Sequence, residues 1–332
     1  MTSRERVRRA VKFQGPDRIP YQLPDPWGGD IRWIGFDKDP DWQPAEPGMD
    51  EWGSVWKSID ASMGQVKRPA IQEWSDLKRI RWPQFVTPER TKSAREAMKQ
   101  DDGKFVLGGL PTYLWERMNR MRGIENALAD LVAYPDESAQ LLDVIAAEDL
   151  KLIDFFGEIG ADGIIACDDW GLQNRLMINP ATWRRLFKAR YARLFERAHQ
   201  HGLLVFMHSC GYIVDILDDF IEVGLDVIEL DQQEHMGLDL LSERFGGRLA
   251  FWCPVDIQQT MVYGSIEDVR NFARRLMWQF GRFNGGYIGF WYGSPEAVNH
   301  DMAKVEAMAE VFVREGTYPL TPPRCERART SP

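Results

Sequence analysis

The sequence has few cysteines and no long hydrophobic run. Four cysteines occur among 332 residues, too few and too far apart for a dense disulfide framework. No segment approaches the roughly 20 consecutive apolar residues that a membrane-spanning helix needs. The first residues also lack the apolar stretch of a secretory signal peptide. We therefore expect a cytoplasmic protein with reduced thiols and no membrane partner.

Positive charge is scarce as well. Lys and Arg total 41 against 50 Asp and Glu, which gives a formal net charge of -9 and a pI of about 5.2. Proteins that bind nucleic acid usually carry a basic patch or stripe, and none is visible in the sequence. Apolar residues make up 44% and charged residues 27%, a balance typical of soluble globular enzymes. We expect a small-molecule substrate and no nucleic-acid partner.

The chain has two textures. Residues 1–103 are irregular and rich in Pro and Trp, with one clear helix at the start and a candidate strand over 18–23. From residue 104 to about 318, predicted helices alternate with short apolar runs, and Gly follows most helix ends. Such runs are typical of strands buried on both faces of a parallel sheet. The predicted helices cover 136–159, 180–201, 212–223, 237–245 and 266–281, and the predicted strands cover 105–107, 163–167, 203–207, 227–230, 249–252 and 287–291.

This alternation predicts an α/β fold, a (β/α)8 TIM barrel with an irregular Trp/Pro-rich N-terminal decoration. We predict a single domain over 1–332, made of the N-terminal part (1–103), the main barrel repeats (104–318) and a tail (319–332). A doubly wound open sheet is the alternative. The absence of a Gly-rich dinucleotide fingerprint after any strand disfavours it.

Two adjacent carboxylates follow the run 163–167. The active site of a parallel barrel lies at the carboxyl ends of its strands, which makes Asp168 and Asp169 candidate catalytic residues. A carboxylate in a barrel mouth can act as a general base, hold a cation or bind a substrate amine or hydroxyl. The structural alternative is that Asp168 caps the next segment and Asp169 pairs with Arg175.

A histidine and a cysteine follow the run 203–207. Strand alternation places His208 and Cys210 on the same face, at the mouth. Imidazole and thiolate are preferred zinc ligands, and a zinc site needs a third protein ligand, for which Cys253 and Glu229 are candidates. The alternative is that His208 bonds a neighbouring carboxylate and Cys210 packs as a small hydrophobe.

Several further side chains are candidate substrate contacts. Glu116 either faces the pocket or pairs with Arg117 or Arg120. The candidates for substrate binding, taken from strand ends and neighbouring loops, are Trp27, Glu116, Gln173, Glu229 and Trp291.

A set of motifs carries a family resemblance. They read Pro-Asp-Arg-Ile-Pro (16–20), Asp-Glu-Trp-Gly (50–53), Asp-Asp-Trp-Gly-Leu-Gln (168–173), Phe-Met-His-Ser-Cys-Gly (206–211), Phe-Ile-Glu-Val-Gly-Leu-Asp-Val-Ile (220–228) and Phe-Trp-Cys-Pro-Val-Asp-Ile-Gln-Gln-Thr (251–260). On these motifs the chain resembles the uroporphyrinogen decarboxylase superfamily, and within it the corrinoid- and cobalamin-linked methyltransferase-like branch. The resemblance implies a (β/α)8 barrel.

The resemblance also implies a metal site and a reaction. Zinc would be bound by His208 and Cys210 plus a distant Cys after the last strand, where this chain reads Phe-Trp-Tyr-Gly (290–293). Cys253 or Glu229 would have to substitute, or the metal is absent. The implied activity is methyl transfer between a small methoxylated or methylamine-type substrate and a corrinoid (methylcobalamin) or tetrahydrofolate carrier. A separate corrinoid protein would be the partner, and a homo-oligomer is compatible with this role.

Two other functions stay open at this point. A metal-free decarboxylase acting on a porphyrinogen or another carboxylate would use an Asp as its central acid. It would need cations at the mouth, for which Arg32, Arg117, Arg120 and Arg175 are the candidates. The decarboxylases of the family are expected to hold carboxylates with arginines in an N-terminal loop, whereas the loop 25–30 offers acidic and aromatic groups here. The third reading is a barrel retained as a non-enzymatic binding subunit.

Overall fold

The computed structural model describes residues 1–57, 64–111 and 113–323. It divides the chain into two compact units, Arg32–Glu229 and Met1–Ile31 with Leu230–Pro332. Cys325 and most of the predicted tail lie outside the described residues. Among the helices described, none is both long enough and apolar enough to cross a lipid bilayer. The single-domain organisation stays a prediction.

The unit Arg32–Glu229 is built on a sheet with the strand order β1-β4-β5-β6-β7. Neighbouring strands from β4 to β7 are parallel, as the alternating pattern predicts. A separate antiparallel pair, β2 and β3, lies in the Trp-rich N-terminal part. The strands are β1 (Ile31–Ile34), β2 (Val55–Lys57), β3 (Gln65–Arg68), β4 (Phe105–Gly109), β5 (Gly163–Cys167), β6 (Leu204–His208) and β7 (Val227–Glu229).

Helices connect these parallel strands. The helix predicted over 136–159 is confirmed: it begins with Pro135 and two acidic residues in its first turn, which suit the positive end of the helix dipole. The helix predicted over 180–201 is confirmed too, but a π-helical stretch, Arg184–Lys188, interrupts it. The helices of this unit are α2 (Lys92–Met98), α3 (Leu114–Arg122), α4 (Ile124–Ala133), α5 (Pro135–Glu158), α6 (Pro180–Trp183), α7 (Ala189–Gln200) and α8 (Val214–Glu222).

The other unit contains two parallel strands and five helices in its described part. The predicted helix over 266–281 is confirmed, and a capping box formed by Ser265 and Asp268 starts it. The elements are α1 (Ser3–Val11), α9 (Leu238–Phe245), β8 (Ala250–Cys253), α10 (Thr260–Tyr263), α11 (Ile266–Gly281), β9 (Tyr287–Gly289) and α12 (Met302–Glu315).

The predicted strand over 18–23 is wrong. This segment forms only isolated bridges, among them a parallel one between Tyr21 and Gly289. Pro20 has no amide hydrogen to donate, and the amide of Tyr21 donates to the Asp30 carboxylate at 3.0 Å rather than to a strand. The strand at Ile31–Ile34, which the sequence pattern did not indicate, is formed instead.

The packing of β5 against β6 sets the geometry of the site. Gly163 begins β5 next to Leu204, and a Cβ atom there would come within 2.7 Å of the Leu204 carbonyl oxygen. Glycine therefore allows the two strands to start side by side. From this start the register runs unbroken to the strand ends, where Cys167 lies beside His208.

Candidate functional site

The carboxyl ends of β5 and β6 bring two sequence motifs together. Cys167 and His208 are neighbours in the parallel register. Because side chains alternate along a strand, the residues two positions further on, Asp169 and Cys210, continue on the same side. The sequence predicted that His208 and Cys210 lie together, and a separation of 3.2 Å between Nε2 and Sγ confirms it.

The His208 imidazole is held from behind by Glu229. The register of β6 and β7 pairs these two residues, and the Glu229 carboxylate bonds Nδ1 of the ring. Burial lowers the pKa of His208, but the negative charge of Glu229 and the hydrogen bonds with Cys210 and Glu229 together outweigh it, and the pKa lies well above its usual value. This carboxylate–imidazole pair is the arrangement that orients metal-binding histidines, and it leaves Nε2 facing the thiols.

Possible metal-ligand atoms of three other residues, Cys167, Asp169 and Cys210, lie near His208. Nε2 of His208 is 3.5 Å from Oδ1 of Asp169. The Cys167 thiol donates to the same Oδ1, with Sγ at 3.5 Å. Ligand atoms of Cys167, Asp169 and His208 all lie within 4.8 Å of one another, with Cys210 bonded to the imidazole. Such a mixed nitrogen, sulfur and oxygen set is suited to Zn²⁺.

Cys167 is a site residue that the sequence analysis did not single out. Burial raises the pKa of its thiol, and the positive charge of His208 offsets only part of the rise. The negative charges of Asp169 and Glu116 raise it further. The signal was present in the sequence, because Cys167 precedes Asp169 by two positions at a strand end and so shares its face.

The loops after β5 and β6 touch through their backbones. The Gly171 amide donates to the Cys210 carbonyl at 3.1 Å, and the Tyr212 amide donates to the Leu172 carbonyl at 2.7 Å. A Cβ atom on Gly171 would come within 2.3 Å of the Gly211 backbone. Glycine is therefore required for this close approach, which fixes the two loops that carry Asp169 and Cys210.

Asp168, the residue between Cys167 and Asp169, is fully buried. Its carboxylate accepts the amides of Trp115 at 3.2 Å and Glu116 at 2.6 Å, and so caps the start of α3. The Tyr191 hydroxyl also donates to it, and Trp170 Nε1 donates to that hydroxyl at 3.1 Å. Burial raises the pKa of Asp168 to about 8, although these donors oppose the rise. The structural alternative, that Asp168 caps the next segment, is wrong: it caps the earlier helix α3, and Asn179 caps the next helix, α6. A catalytic role for Asp168 stays a prediction.

Capping by Asp168 also places Glu116 near the donor group. Arg120 donates to the Glu116 carboxylate at 3.0 Å, which confirms one of the two predicted arrangements. Asn119 donates to its other oxygen at 3.0 Å. Burial raises the pKa of Glu116 and the charge of Asp169 raises it further, whereas Arg120 lowers it. Glu116 is therefore within electrostatic reach of Asp169.

The remaining predicted residues lie away from this group in sequence and are described individually. Gln173 is exposed on the loop after β5. In the other unit, Trp27 is half-buried in a turn, Trp291 is half-buried after β9, and Cys253 is fully buried at the end of β8. Roles for all four in binding substrate or metal stay predictions.

Comparison with models of known protein families identifies the family to which the chain belongs. The model of the uroporphyrinogen decarboxylase (URO-D) family matches residues 57–314, more than half of the chain. The chain belongs to the uroporphyrinogen decarboxylase family. This confirms the predicted superfamily and indicates an enzyme. No curated protein matches the chain with significant similarity.

Solved structures confirm the fold of this URO-D family protein. A methyltransferase from Methanosarcina mazei superposes with a TM-score of 0.70 at 15% identity, and the match covers 94% of this chain and 98% of that one. The predicted TIM-barrel fold class is therefore confirmed. Weaker matches are D-psicose 3-epimerase from Clostridium cellulolyticum H10 (TM-score 0.45, 11% identity, 86% and 88% coverage) and the YdhT protein from Bacillus subtilis (TM-score 0.45, 9% identity, 90% and 87% coverage). At these scores the two weaker matches carry no further weight.

Proposed function

We propose that this URO-D family protein is a metal-dependent methyltransferase. It would move a methyl group between a small methoxylated or methylamine-type substrate and a corrinoid or folate carrier. The observation that carries the proposal is the His208–Cys210 pair, with Nε2 and Sγ 3.2 Å apart and the imidazole bonded to Glu229 on its other side. The methyltransferase fold of the Methanosarcina mazei structure supports the same reading.

The donor set suits zinc. Zinc–nitrogen and zinc–sulfur bonds of about 2.0–2.3 Å in a tetrahedron separate the ligand atoms by about 3.3–3.8 Å. The distances of 3.2 and 3.5 Å from His208 Nε2 to Cys210 and Asp169 lie close to that range. Zinc bound there would keep a thiol deprotonated and polarise the heteroatom that carries the methyl group.

Glu116 and Asp168 would serve the proton transfer that accompanies methyl transfer. In the transfer, the bond from carbon to the substrate heteroatom breaks and its electron pair stays on the heteroatom. An electron pair of the carrier forms the new bond to the methyl carbon. The heteroatom would then need a proton, and Glu116 is our candidate to supply it, because burial and the charge of Asp169 raise its pKa. Asp168 fixes the position of Glu116 through the amide that it caps.

The predicted cations support methyl transfer over decarboxylation. A substrate with several carboxylates needs free guanidinium groups. Arg120 pairs with Glu116, and the Arg117 guanidinium is buried over the Trp52 ring at 3.8 Å. Arg32 bonds a carboxylate at 3.4 Å. Three of the four arginines considered for carboxylate binding thus already have protein partners.

The first experiment measures zinc and methyl transfer together. Protein purified without chelator is expected to hold about one zinc per chain. It is also expected to demethylate methylcobalamin in the presence of a small acceptor, or to methylate cob(I)alamin from a methoxylated aromatic, followed by corrinoid absorbance. The double variant His208→Ala/Cys210→Ala should lose both properties. Carbon dioxide release from a porphyrinogen, without zinc and without a corrinoid signal, would overturn the proposal in favour of a decarboxylase.

A further inference from the structure

The family pattern leaves the metal site of this chain short of one ligand. The position after the last strand, where the resemblance implies a Cys, reads Phe-Trp-Tyr-Gly (290–293). His208 and Cys210 alone are too few, because even catalytic zinc sites usually take three protein ligands. Cys167 and Asp169 lie at the end of the neighbouring strand β5.

We propose that Cys167 and Asp169 complete the site, so that a zinc-type dication is bound by one nitrogen, two sulfurs and one carboxylate oxygen. The inference rests on the proposed function for the presence of a metal and adds which residues hold it. Cys167, from the strand β5 next to His208, would take the place of the cysteine that is missing after the last strand.

Three contacts carry this assignment. Cys167 is the register neighbour of His208, so the backbone itself fixes their separation. The Cys167 Sγ and Asp169 Oδ1 atoms are 3.5 Å apart, and the same oxygen is 3.5 Å from His208 Nε2. The two separations of 3.5 Å match the edges of about 3.3–3.8 Å expected between ligands of tetrahedral zinc. Ligand atoms of Cys167, Asp169 and His208 lie within 4.8 Å of one another, and Cys210 contacts this group at His208 Nε2, 3.2 Å away.

The four residues are not equivalent. Asp169 retains 27% of its side-chain exposure and offers a hard oxygen donor among softer ones. The Cys210 amide, which donates to Oδ1 at 2.8 Å, holds it in place. A catalytic zinc site keeps one position for the substrate. Asp169 is therefore the ligand that a substrate heteroatom would displace, whereas the two thiolates and His208 would remain bound.

Cobalt substitution tests the ligand count without an activity assay. Co²⁺ alone, added to zinc-depleted protein, is expected to give a thiolate-to-cobalt charge-transfer band of two-thiolate intensity. Cys167→Ser and Cys210→Ser should each lower that band by about half and weaken metal binding by more than about 100-fold, beyond the 10–100-fold typical of outer-shell changes. Glu125→Gln, at an exposed position of α4, is the control and should leave the band unchanged.

The competing ligand is tested by Cys253→Ser. If this variant halves the band while Cys167→Ser does not, the inference is wrong and the proposed methyltransferase survives with another ligand. Methyl transfer by a protein that binds neither cobalt nor zinc would overturn the inference and the metal dependence of the proposed function, but not methyl transfer itself. Loss of both metal binding and methyl transfer in the unmodified protein would overturn both proposals.

A second measurement needs no variant and so does not depend on folding of the Cys167→Ser protein. Iodoacetamide labelling of the unmodified protein, with and without added zinc, is read by peptide mass spectrometry. Zinc should slow alkylation of Cys167 and Cys210 together, and a chelator should reverse the effect. Protection of Cys210 with unchanged labelling of Cys167 would contradict the assignment.

Discussion

The two carboxylates after β5 are adjacent in sequence and differ in everything that surrounds them. Asp168 is fully buried, and its oxygens accept two backbone amides and the Tyr191 hydroxyl. Asp169 is partly exposed and lies against an imidazole and a thiol. A buried carboxylate saturated with protein donors organises the chain around it, whereas a partly exposed one beside soft ligands is available for chemistry.

Replacing Asp168 should have the largest effect on stability. Asp168→Ala removes the partner of two amides at the start of α3 and of the buried Tyr191 hydroxyl. We expect a loss of about 3 kcal/mol or more in the free energy of unfolding, measured by urea denaturation. The matched variant Asp169→Ala removes the acceptor of the Cys210 amide at a partly exposed position and should cost only about 1 kcal/mol. Equal losses in the two variants would show that the contrast between these neighbours is wrong.

Weakening the support of His208 should affect metal binding and leave the fold in place. In Glu229→Gln the side chain keeps its size, but the negative charge behind Nδ1 is lost. Zinc affinity should fall by about 10–100-fold, measured by competition with a chelating dye. Glu125→Gln, a change at an exposed position of α4, is the control and should leave affinity unchanged. An unaltered affinity in Glu229→Gln would mean that His208 is not oriented through Glu229.

The Tyr191 hydroxyl donates to Asp168 and accepts a hydrogen bond from Trp170 Nε1. Tyr191→Phe removes one hydrogen bond to that carboxylate and should cost about 1–2 kcal/mol of unfolding free energy. Because both residues belong to one network, the effects of Tyr191→Phe and Asp168→Ala should be less than additive in a double-mutant cycle. Fully additive losses of unfolding free energy would show that the Tyr191 hydroxyl and the Asp168 carboxylate stabilise the fold independently.

Asp17 offers an exposed carboxylate whose contribution to stability can be compared with those of the buried groups. A hydrogen bond from Arg6 lowers the pKa of Asp17 to about 2, from an ordinary value of 3.8. A lowered pKa gives stability that is present above about pH 4 and is lost as the pH falls towards 2. Asp17→Asn should therefore cost about 1 kcal/mol at pH 7, reduced by solvent screening, and almost nothing at pH 2. If the stability difference between Asp17→Asn and the unmodified protein grew as the pH fell, the expected direction of this pH dependence would be wrong.

The sequence was sufficient for the parts of the site that depend on local pattern. Periodicity gave the strands β5 and β6, and strand alternation then placed His208 and Cys210 together. The same rule, applied to β5, would have added Cys167. The register between β5 and β6 brings Cys167 beside His208. The residue pattern within one strand does not define how that strand pairs with the next.

Long-range bonds explain what the sequence could not predict. Asp168 is bonded to Trp115, which precedes it by 53 residues, and to Tyr191, which follows it by 23. No local sequence pattern indicates either partner. The sequence alone therefore could not distinguish a structural role of Asp168 from a catalytic one. The misplaced first strand has a similar cause, because the Asp30 carboxylate takes the amide of Tyr21.

The π-helical stretch Arg184–Lys188 makes the site sensitive to chain length. It lies between Trp183 and Tyr191, whose rings stack at 5.7 Å, and it accommodates more residues per turn than an α-helix. Substitution of the exposed Arg184 or Arg185 leaves that spacing intact. Insertion of one further residue there, beyond the extra residue that the wider turn already absorbs, would rotate Tyr191 by about 100° and turn its hydroxyl away from Asp168. In this stretch the number of residues matters more to the site than the identity of the exposed ones.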